Sequence, residues 1–283
     1  MNDGAILITG SNGFIGKKLK LALEREGKHV ITFGREDGDV TSNFIPFTDI
    51  SHVFHLAAQT FVPLSWEKPL EYYQVNVMGT ANILEFCRKN GCGLTFPSTY
   101  VYGSPEYLPI DESHPVNPAS PYNHSKVLGE SLCKFYADKY GLNISILRLF
   151  NLYGPDQQKP FIIPEIIEQA LHRECIEVFD LLPRRDFVFI DDVIDAMLST
   201  IGLTGFDIYN VASGVSTSVE EIIQSVCRSF QITKSYRSKG ASRPNEVMDT
   251  RADISHITKK LGWTPKVSFS DGIDAIRDAK LAI

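Results

Sequence analysis

The sequence lacks both an apolar run long enough to cross a membrane and an excess of basic residues. Its 283 residues include 28 Lys and Arg against 34 Asp and Glu, which gives a formal net charge of -6. A membrane-spanning helix needs about 20 consecutive apolar residues, and a nucleic-acid partner needs a basic field that neutralises phosphates. We therefore expect neither partner. The first predicted strand begins almost at once and leaves no room for a secretory leader, so we expect a cytoplasmic protein.

Cysteines are few and show no pairing in the sequence. They form no C-x-x-C motif and no metal-ligand spacing, and they are Cys87, Cys92, Cys133, Cys175 and Cys227. An odd, dispersed set predicts reduced, mostly buried thiols and no metal site. Internal repeats and low-complexity segments are missing as well. With 43% hydrophobic residues, the composition suits one large α/β domain, alone or with a smaller lobe.

Apolar strands alternate with amphipathic helices over the first half of the chain. The predicted strands are Ala5–Thr9, His29–Phe33, Val53–Ala57, Leu94–Ser98 and Ile144–Phe150, and the predicted helices span about Phe14–Glu26, Tyr72–Lys89 and Pro121–Tyr140. This alternation predicts right-handed βαβ units and a Rossmann-type, doubly wound parallel sheet.

After Asn151 the pattern loosens into Pro-rich connections, which predicts a smaller C-terminal α/β lobe for the substrate. The strand and helix of Asp186–Thr200 are expected to return to the main sheet. We therefore assign residues 1–155 and about 186–202 to the dinucleotide-binding domain. Residues 156–185 and about 203–283 are assigned to the substrate lobe.

Gly10, Gly13 and Gly16 lie between the first strand and the first helix. In this spacing one glycine permits a tight turn, one lets the backbone approach a pyrophosphate, and one lets the helix pack closely on the strand. The helix N-terminus then offers N–H groups and a positive dipole end to the phosphates. A plain strand-to-helix turn is the alternative, but the flanking elements favour dinucleotide binding. The other residues expected near the cofactor in this part of the sheet are Asn12, Phe14, Ile15, Leu56, Ala57 and Ala58.

Cofactor choice is usually decided at the end of the second strand. An acidic residue there accepts hydrogen bonds from the ribose 2′-hydroxyl of NAD, whereas an arginine accommodates the 2′-phosphate of NADP. Here Gly34 is followed by Arg35, which favours NADP(H), although Glu36 comes next and keeps NAD(H) possible. Arg35 as a solvated loop charge is the alternative. Asp39 and Val40 are expected near the adenine.

Tyr122 and Lys126 are four residues apart at the start of a predicted helix and therefore lie on one face of it. A tyrosine hydroxyl has an ordinary pKa near 10, and a fixed ammonium group would lower that pKa towards the working range. Ser98 ends a parallel strand, at the edge of the sheet where ligands of such sheets bind. We predict Tyr122 as acid/base, Lys126 as its partner and Ser98 as a hydrogen-bonding aid; a surface pair and a turn serine are the alternatives.

Several motifs together resemble the extended short-chain dehydrogenases/reductases that act on nucleotide sugars. The motifs are the glycine turn, His55-Leu-Ala-Ala58, Val75-Asn76-Val-Met-Gly-Thr80, Ser98 with Val-Tyr-Gly103, Pro-Tyr122 with Lys126, and Phe150-Asn151-Leu-Tyr-Gly-Pro155. The resemblance extends from Ile6 to about Trp263. It implies a nucleoside-diphosphate sugar as substrate and the same roles for Ser98, Tyr122 and Lys126. It also implies five substrate-binding residues, which are Thr99, Asn151, Phe179, Arg185 and Arg243.

The resemblance leaves the reaction open. Dehydratases carry an Asp-Glu pair where this chain has Thr99-Tyr100, so dehydration is disfavoured. Gly34-Arg35 and the compact C-terminal lobe favour NADPH-dependent reduction of a 4-keto-6-deoxy sugar at C4 by a small margin over 4-epimerisation. A non-catalytic NADP-binding redox sensor is the alternative from another class, disfavoured because the Tyr/Lys pair is present. The family commonly pairs through the helices at about Tyr72–Lys89 and Tyr122–Tyr140, so we expect a homodimer.

Overall fold

A computed structural model describes residues 4–42, 47–240 and 247–282 of the chain. The strands are β1 (Ala5–Thr9), β2 (Val30–Phe33), β3 (Ile50–His55), β4 (Gly93–Thr99), β5 (Ile144–Leu149), β6 (Asn151–Tyr153), β7 (Cys175–Val178), β8 (Arg184–Phe189), β9 (Phe206–Val211), β10 (Ser216–Ser218) and β11 (Ser235–Ser238). The helices are α1 (Phe14–Arg25), α2 (Val62–Glu67), α3 (Pro69–Tyr73), α4 (Gly79–Asn90), α5 (Pro121–Tyr140), α6 (Ile162–His172), α7 (Ile190–Leu198), α8 (Val219–Ser229), α9 (Ser255–Leu261) and α10 (Phe269–Leu281).

A six-stranded parallel sheet forms the centre of the molecule, in the order β2-β1-β3-β4-β5-β9. Its central strands are mostly buried, because helices cover both faces of the sheet. Along β1, Ile6 and Ile8 pack in the core that includes α1 and α7, whereas Ala5 and Leu7 pack in the core that includes α4 and α5. This alternation is the two-residue period of a strand buried on both sides. The predicted Rossmann-type doubly wound α/β fold is confirmed.

The chain changes direction across the sheet between β1 and β3. From β1 it passes to β2 on one side and then crosses to β3 on the other, and both strands are hydrogen-bonded to β1. Loops diverge at such a switch point and leave a crevice at the carboxyl ends of the strands, where ligands of open α/β sheets bind. The glycine turn follows β1 and therefore lies at this crevice.

The strand that starts near Asp186 does not join the main sheet, and its expected position was wrong. It is β8, which pairs with β6 and β10 in a separate three-stranded sheet, while β9 occupies the sixth place beside β5. Only the helix that follows β8 lies against the main sheet's helices as expected, since α7 packs against α1. Pairing depends on which distant segment reaches the sheet edge, which the pattern of apolar residues does not encode. The boundary between the two lobes remains a prediction.

The helix expected at Tyr72–Lys89 is divided. It consists of α3, a π-helical segment (Gln74–Met78) and α4. A π-helical turn inserts an extra residue and frequently marks a functional site. Here the segment contains Asn76, whose side chain is buried. In the described parts of the chain, none of the helices has the length and apolar character to span a membrane.

Candidate active site

The three glycines of the turn after β1 serve three different geometric needs. Gly10 has φ +69°, and a Cβ there would stand 2.7 Å from the backbone N of Ala57. A Cβ on Gly16 would stand 2.5 Å from the carbonyl oxygen of Gly10, so α1 could not approach the turn so closely. A Cβ on Gly13 would meet only that same oxygen, at 3.3 Å. Gly13 thus faces open space, and the turn offers bare backbone to a ligand.

A cavity of about 820 Å³ opens beside the glycine turn. Nine of the expected cofactor residues line it, and they are Gly10, Asn12, Gly13, Arg35, Asp39, Val40, Leu56, Ala57 and Ala58. Phe14 and Ile15 instead pack against the core on the first turn of α1. The cavity is large enough for a dinucleotide. The glycine turn that lines it lies at the N-terminus of α1. The residues therefore fit a nicotinamide dinucleotide.

Glu36 lies at the same cavity, although the sequence gave it no more than a secondary role. The Asn12 side-chain amide donates a hydrogen bond of 2.7 Å to Glu36 Oε1, from the glycine turn to the loop after β2. The carboxylate lies so close to Gly34 that a Cβ there would stand 2.7 Å from it. Glycine at position 34 thus makes room for the Glu36 carboxylate. An acidic group is therefore present at the end of β2, displaced by two residues along the chain.

Tyr122 lies in the first turn of α5, which Ser120 caps by accepting a hydrogen bond from Asn123 N. Its hydroxyl has the Thr99 side chain as hydrogen-bond partner, which places it at the end of β4. Burial raises the pKa of Tyr122, and the Thr99 hydrogen bond lowers it only in part. The expected lowering of this pKa by Lys126 is therefore not met by the protein alone.

Lys126 lies one turn after Tyr122 on α5. Its side chain is buried, and its Nζ lies 4.0 Å from the centre of the Phe96 ring, in a cation–π contact. Burial lowers the pKa of Lys126 to about 8, so the ammonium form still predominates at neutral pH but with a reduced margin. Its charge also acts on His55, whose pKa burial lowers to about 3. The ammonium thus lies among β3, β4 and α5.

His55 closes a small network at the end of β3. Thr9 Oγ1 accepts a hydrogen bond from Ala57 N and therefore donates its own proton to His55 Nδ1, 2.8 Å away. Because His55 is neutral at its low pKa, we assign its proton to Nε2. This network fixes the backbone at Ala57, which lines the cavity.

Ser98 Oγ is buried and has no hydrogen-bond partner among the residues that the structure describes. Buried hydroxyl groups nearly always have a partner, so such an exception calls for an explanation. The neighbouring Thr99 contacts Tyr122, which places Ser98 at the same strand end. A substrate oxygen would satisfy an orphaned hydroxyl at the strand end that Tyr122 contacts.

Asn76 is a further residue at this site, and the sequence assigned it no role. Its side chain accepts from Gln59 N at 2.8 Å and donates to Gln59 O and to Ser125 Oγ. Ser125 Oγ in turn donates to the Tyr122 carbonyl oxygen over 2.7 Å. Asn76 therefore connects the cavity-lining Gln59 to the first turn of α5. Its place in the Val75-Asn76 motif was the only sequence signal.

Apart from Thr99 at the end of β4, the expected substrate residues follow β5 in the chain. Asn151 starts β6 and donates from Nδ2 to the Asp186 carbonyl oxygen. Arg185 on β8 donates to the carbonyl oxygens of Arg184 and Val247, and its charge acts on Tyr100, next to Thr99. Phe179 is half exposed, with Lys239 Nζ 5.6 Å from its ring centre. Arg243 lies outside the described residues.

The chain is similar to known enzymes that act on nucleotide sugars. The family model for GDP-mannose 4,6 dehydratase matches residues 36–276. The UDP-glucose 4-epimerase of Mycolicibacterium smegmatis is 31% identical, over 94% of this chain and 95% of that protein. The chain is thus similar to nucleotide-sugar enzymes over nearly its whole length.

Two solved structures share the fold and differ in cofactor. The UDP-glucose 4-epimerase of Thermus thermophilus in complex with NAD superposes with a TM-score of 0.86 at 28% identity, covering 99% of this chain and 100% of that one. The reductase RMD from Pseudomonas aeruginosa with NADPH gives a TM-score of 0.89 at 27% identity, with the same coverage. Structural neighbours therefore bind either NAD or NADPH.

Proposed function

The chain belongs to the GDP-mannose 4,6-dehydratase family of extended short-chain dehydrogenases/reductases, NAD(P)-dependent enzymes that act on nucleotide sugars. From that premise we propose that it is a 4-epimerase of a nucleoside-diphosphate sugar that uses NAD(H). The observation that carries this proposal is the Glu36 carboxylate held by Asn12 at the dinucleotide cavity, since it favours a free ribose 2′-hydroxyl over a 2′-phosphate. The sequence alone slightly favoured NADP(H) and reduction.

The catalytic roles rest on three side chains. Tyr122 removes the proton of the C4 hydroxyl, and Ser98 donates its otherwise unused hydrogen bond to the same oxygen. A nicotinamide dinucleotide in the cavity would accept the C4 hydride and later return it to the same carbon. The Lys126 ammonium would favour the tyrosinate and so oppose the rise that burial causes in the pKa of Tyr122. Tyr122 returns the proton after the sugar has presented its other face.

The remaining residues bind the substrate. Arg185 and Arg243 would hold the diphosphate, because guanidinium groups bind phosphate oxygens in a bidentate manner. Asn151 and Thr99 contact the sugar nucleotide, and Phe179 stacks on its base. Dehydration is disfavoured because Thr99 and Tyr100 supply no carboxyl group for the elimination of water.

The test follows the C4 hydrogen. The purified protein is incubated with UDP-, GDP- and dTDP-sugars deuterated at C4, and the products are analysed by NMR. An epimerase inverts C4 and keeps the deuterium there without added cofactor. Tyr122→Phe should lose about 10²–10⁴-fold in rate, whereas Tyr140→Phe, exposed on the same helix, should keep full activity. Full activity of Tyr122→Phe would refute the acid/base role.

Reduction of a 4-keto sugar is the second candidate, and Arg35 is the observation that favours it. Arg35 lines the dinucleotide cavity beside Glu36 and would attract a 2′-phosphate. Stoichiometric NADPH consumption with a 4-keto-6-deoxy sugar nucleotide, and no inversion of the UDP-sugars, would decide for the reductase.

We also propose that two copies of the chain form a homodimer. The interface on each copy would consist of the π-helical segment, α4 and α5. These elements pack side by side. Large apolar side chains remain exposed on them or next to them, among them Leu70, Met78 and Phe135, at 66%, 55% and 51%. Such exposure commonly marks a protein interface. Light scattering should give twice the chain mass for the wild type and a smaller mass for Phe135→Glu; a monomeric wild type would refute the dimer.

A further inference from the structure

A buried ion pair connects α5 to the neighbouring strand β5. Glu130 lies one turn beyond Lys126 on α5, and Arg148 lies on β5; their side chains are only 8% and 5% exposed. Arg148 Nη2 donates to Glu130 Oε2 over 2.8 Å, and Nε donates to both carboxylate oxygens at 3.2 and 3.3 Å. The proposed reaction uses neither residue directly.

Arg148 is itself held firmly in place. Its Nη1 donates to the Tyr102 hydroxyl at 3.1 Å and to the Glu112 carbonyl oxygen at 3.2 Å. The guanidinium carbon lies 5.0 Å from the centre of the Tyr102 ring. Tyr102 donates onward to Asn210 Oδ1 over 2.6 Å. Arg148 is thus fixed from three directions, and Glu130 is fixed with it.

Lys126 and Glu130 share the buried face of α5, four residues apart, so their side chains are neighbours. The other titratable groups acting on Lys126 are His55 from β3 and Cys133 from α5. His55 is neutral. Cys133 and then Glu130 oppose the effect of burial on the pKa of Lys126. Burial raises the pKa of the Cys133 thiol far above neutrality, however, so this thiol carries no charge near pH 7. Among these described neighbours, the negative charge comes from Glu130.

We propose that Glu130 is a positioning residue whose carboxylate, locked in place by Arg148, is the counter-charge that keeps the Lys126 side chain protonated inside the protein. The inference rests on the proposed function for the role of Lys126. Burial already lowers the pKa of Lys126 to about 8. Without Glu130, Lys126 and Arg148 would be buried cations with no negative partner, and Lys126 would lose its proton near neutral pH.

The test is the titration of Lys126 itself. The protein is labelled with lysine carrying ¹³C at the ε carbon, and the Lys126 resonance is assigned through Lys126→Met. We expect a midpoint near pH 8 in the wild type and a midpoint lower by about one unit or more in Glu130→Gln. Asp138→Asn is the matched control, because its exposed pair with Lys134 lies on the same helix. An unchanged Lys126 midpoint in Glu130→Gln would overturn the proposal.

A second variant separates this role from simple stabilisation. Breaking a buried pair is far more destabilising than removing both charges, so Glu130→Gln/Arg148→Met is expected to regain most of the thermal stability lost by Glu130→Gln. The Lys126 midpoint of the double variant should lie between those of Glu130→Gln and the wild type, because the attractive charge of Glu130 and the repulsive charge of Arg148 are both missing. Lost stability in Glu130→Gln with an unchanged Lys126 midpoint would show that the pair acts only structurally.

Kinetics then connect the proposal to catalysis. If the wild type epimerises a nucleotide sugar, the alkaline decline of kcat should begin about one pH unit lower in Glu130→Gln than in Asp138→Asn. The NMR titration needs no substrate. A wild type without turnover would therefore count against the proposed function alone, while the Lys126 midpoint would still decide the role of Glu130.

Discussion

Ser98 on β4 and Arg148 on β5 are paired in register, yet their hydrogen bonding is opposite in character. Arg148 donates to Glu130, Tyr102 and the Glu112 carbonyl oxygen, whereas Ser98 Oγ has no partner among the described residues. At the same level of the sheet, the fold uses the hydrogen-bond donors of Arg148, whereas the Ser98 hydroxyl contributes no hydrogen bond to it in the described part of the chain. This contrast allows structural and catalytic roles to be separated by mutation.

Ser98→Ala should lower kcat by about 10²-fold without lowering the melting temperature. The alanine removes a hydroxyl that makes no hydrogen bond in the protein, so folding loses nothing, while the transition state loses a donor. Ser125→Ala is the comparison, since Ser125 Oγ bonds both Asn76 and Tyr122. It should lose about 1–3 kcal/mol of stability. An equally unstable Ser98→Ala would mean that its hydroxyl serves the fold.

Gly13→Ala should weaken dinucleotide binding, whereas Gly16→Ala should lower the stability of the fold. A Cβ at Gly13 meets only the Gly10 carbonyl oxygen, at 3.3 Å, but points to the cavity, so dinucleotide affinity should fall at least about tenfold while most stability is kept. A Cβ at Gly16 would lie 2.5 Å from that oxygen, and such overpacking costs about 1–3 kcal/mol. Calorimetry for binding and thermal unfolding without added dinucleotide measure the two effects. Equal melting temperatures for the two variants would contradict the geometry.

Glu36→Gln should shift cofactor preference towards NADP(H). The change removes a negative charge from the place expected to face the 2′-position of the adenosine ribose, while the amide can still accept from Asn12. We expect the ratio of the dissociation constants for NADP(H) and NAD(H) to fall by about tenfold or more. Glu24→Gln, on the exposed side of α1, is the control. The wild type should bind NAD(H) more tightly than NADP(H). A wild type that prefers NADP(H), and that no longer binds NADP(H) after Arg35→Ala, would contradict the proposed use of NAD(H).

Acid should destabilise the protein partly through His52. Burial lowers its pKa from 6.5 to about 4, and its Nε2 lies 2.8 Å from Thr95 Oγ1. As the pH falls, His52 is protonated in the unfolded chain before it is protonated in the folded protein. Its contribution to the free energy of unfolding is therefore fully present above pH 6.5 and falls by about 3 kcal/mol as the pH approaches 4. His52→Gln should remove that share of the decline in unfolding free energy between pH 7 and 4.

The control for this experiment is His172→Gln, because the His172 side chain is 64% exposed. The comparison between variants is needed because the pKa of Asp186 is raised to about 6 by burial, which makes its own contribution to stability rise as the pH falls. Identical pH dependence for His52→Gln and the wild type would show that His52 is not held neutral by the fold.

Local patterns of the sequence determined the first five strands of the main sheet, the glycine turn and the Tyr122–Lys126 spacing, because each depends on residues that are near one another along the chain. Tertiary structure alone decided that β9 rather than β8 completes the sheet. It also decided that Glu36 accepts a hydrogen bond from Asn12 and that Lys126 lies over the Phe96 ring. The ion pair between Glu130 and Arg148 depends on it as well. Those contacts join segments far apart in sequence. Their choice depends on packing and charge in the folded interior, which no local period encodes.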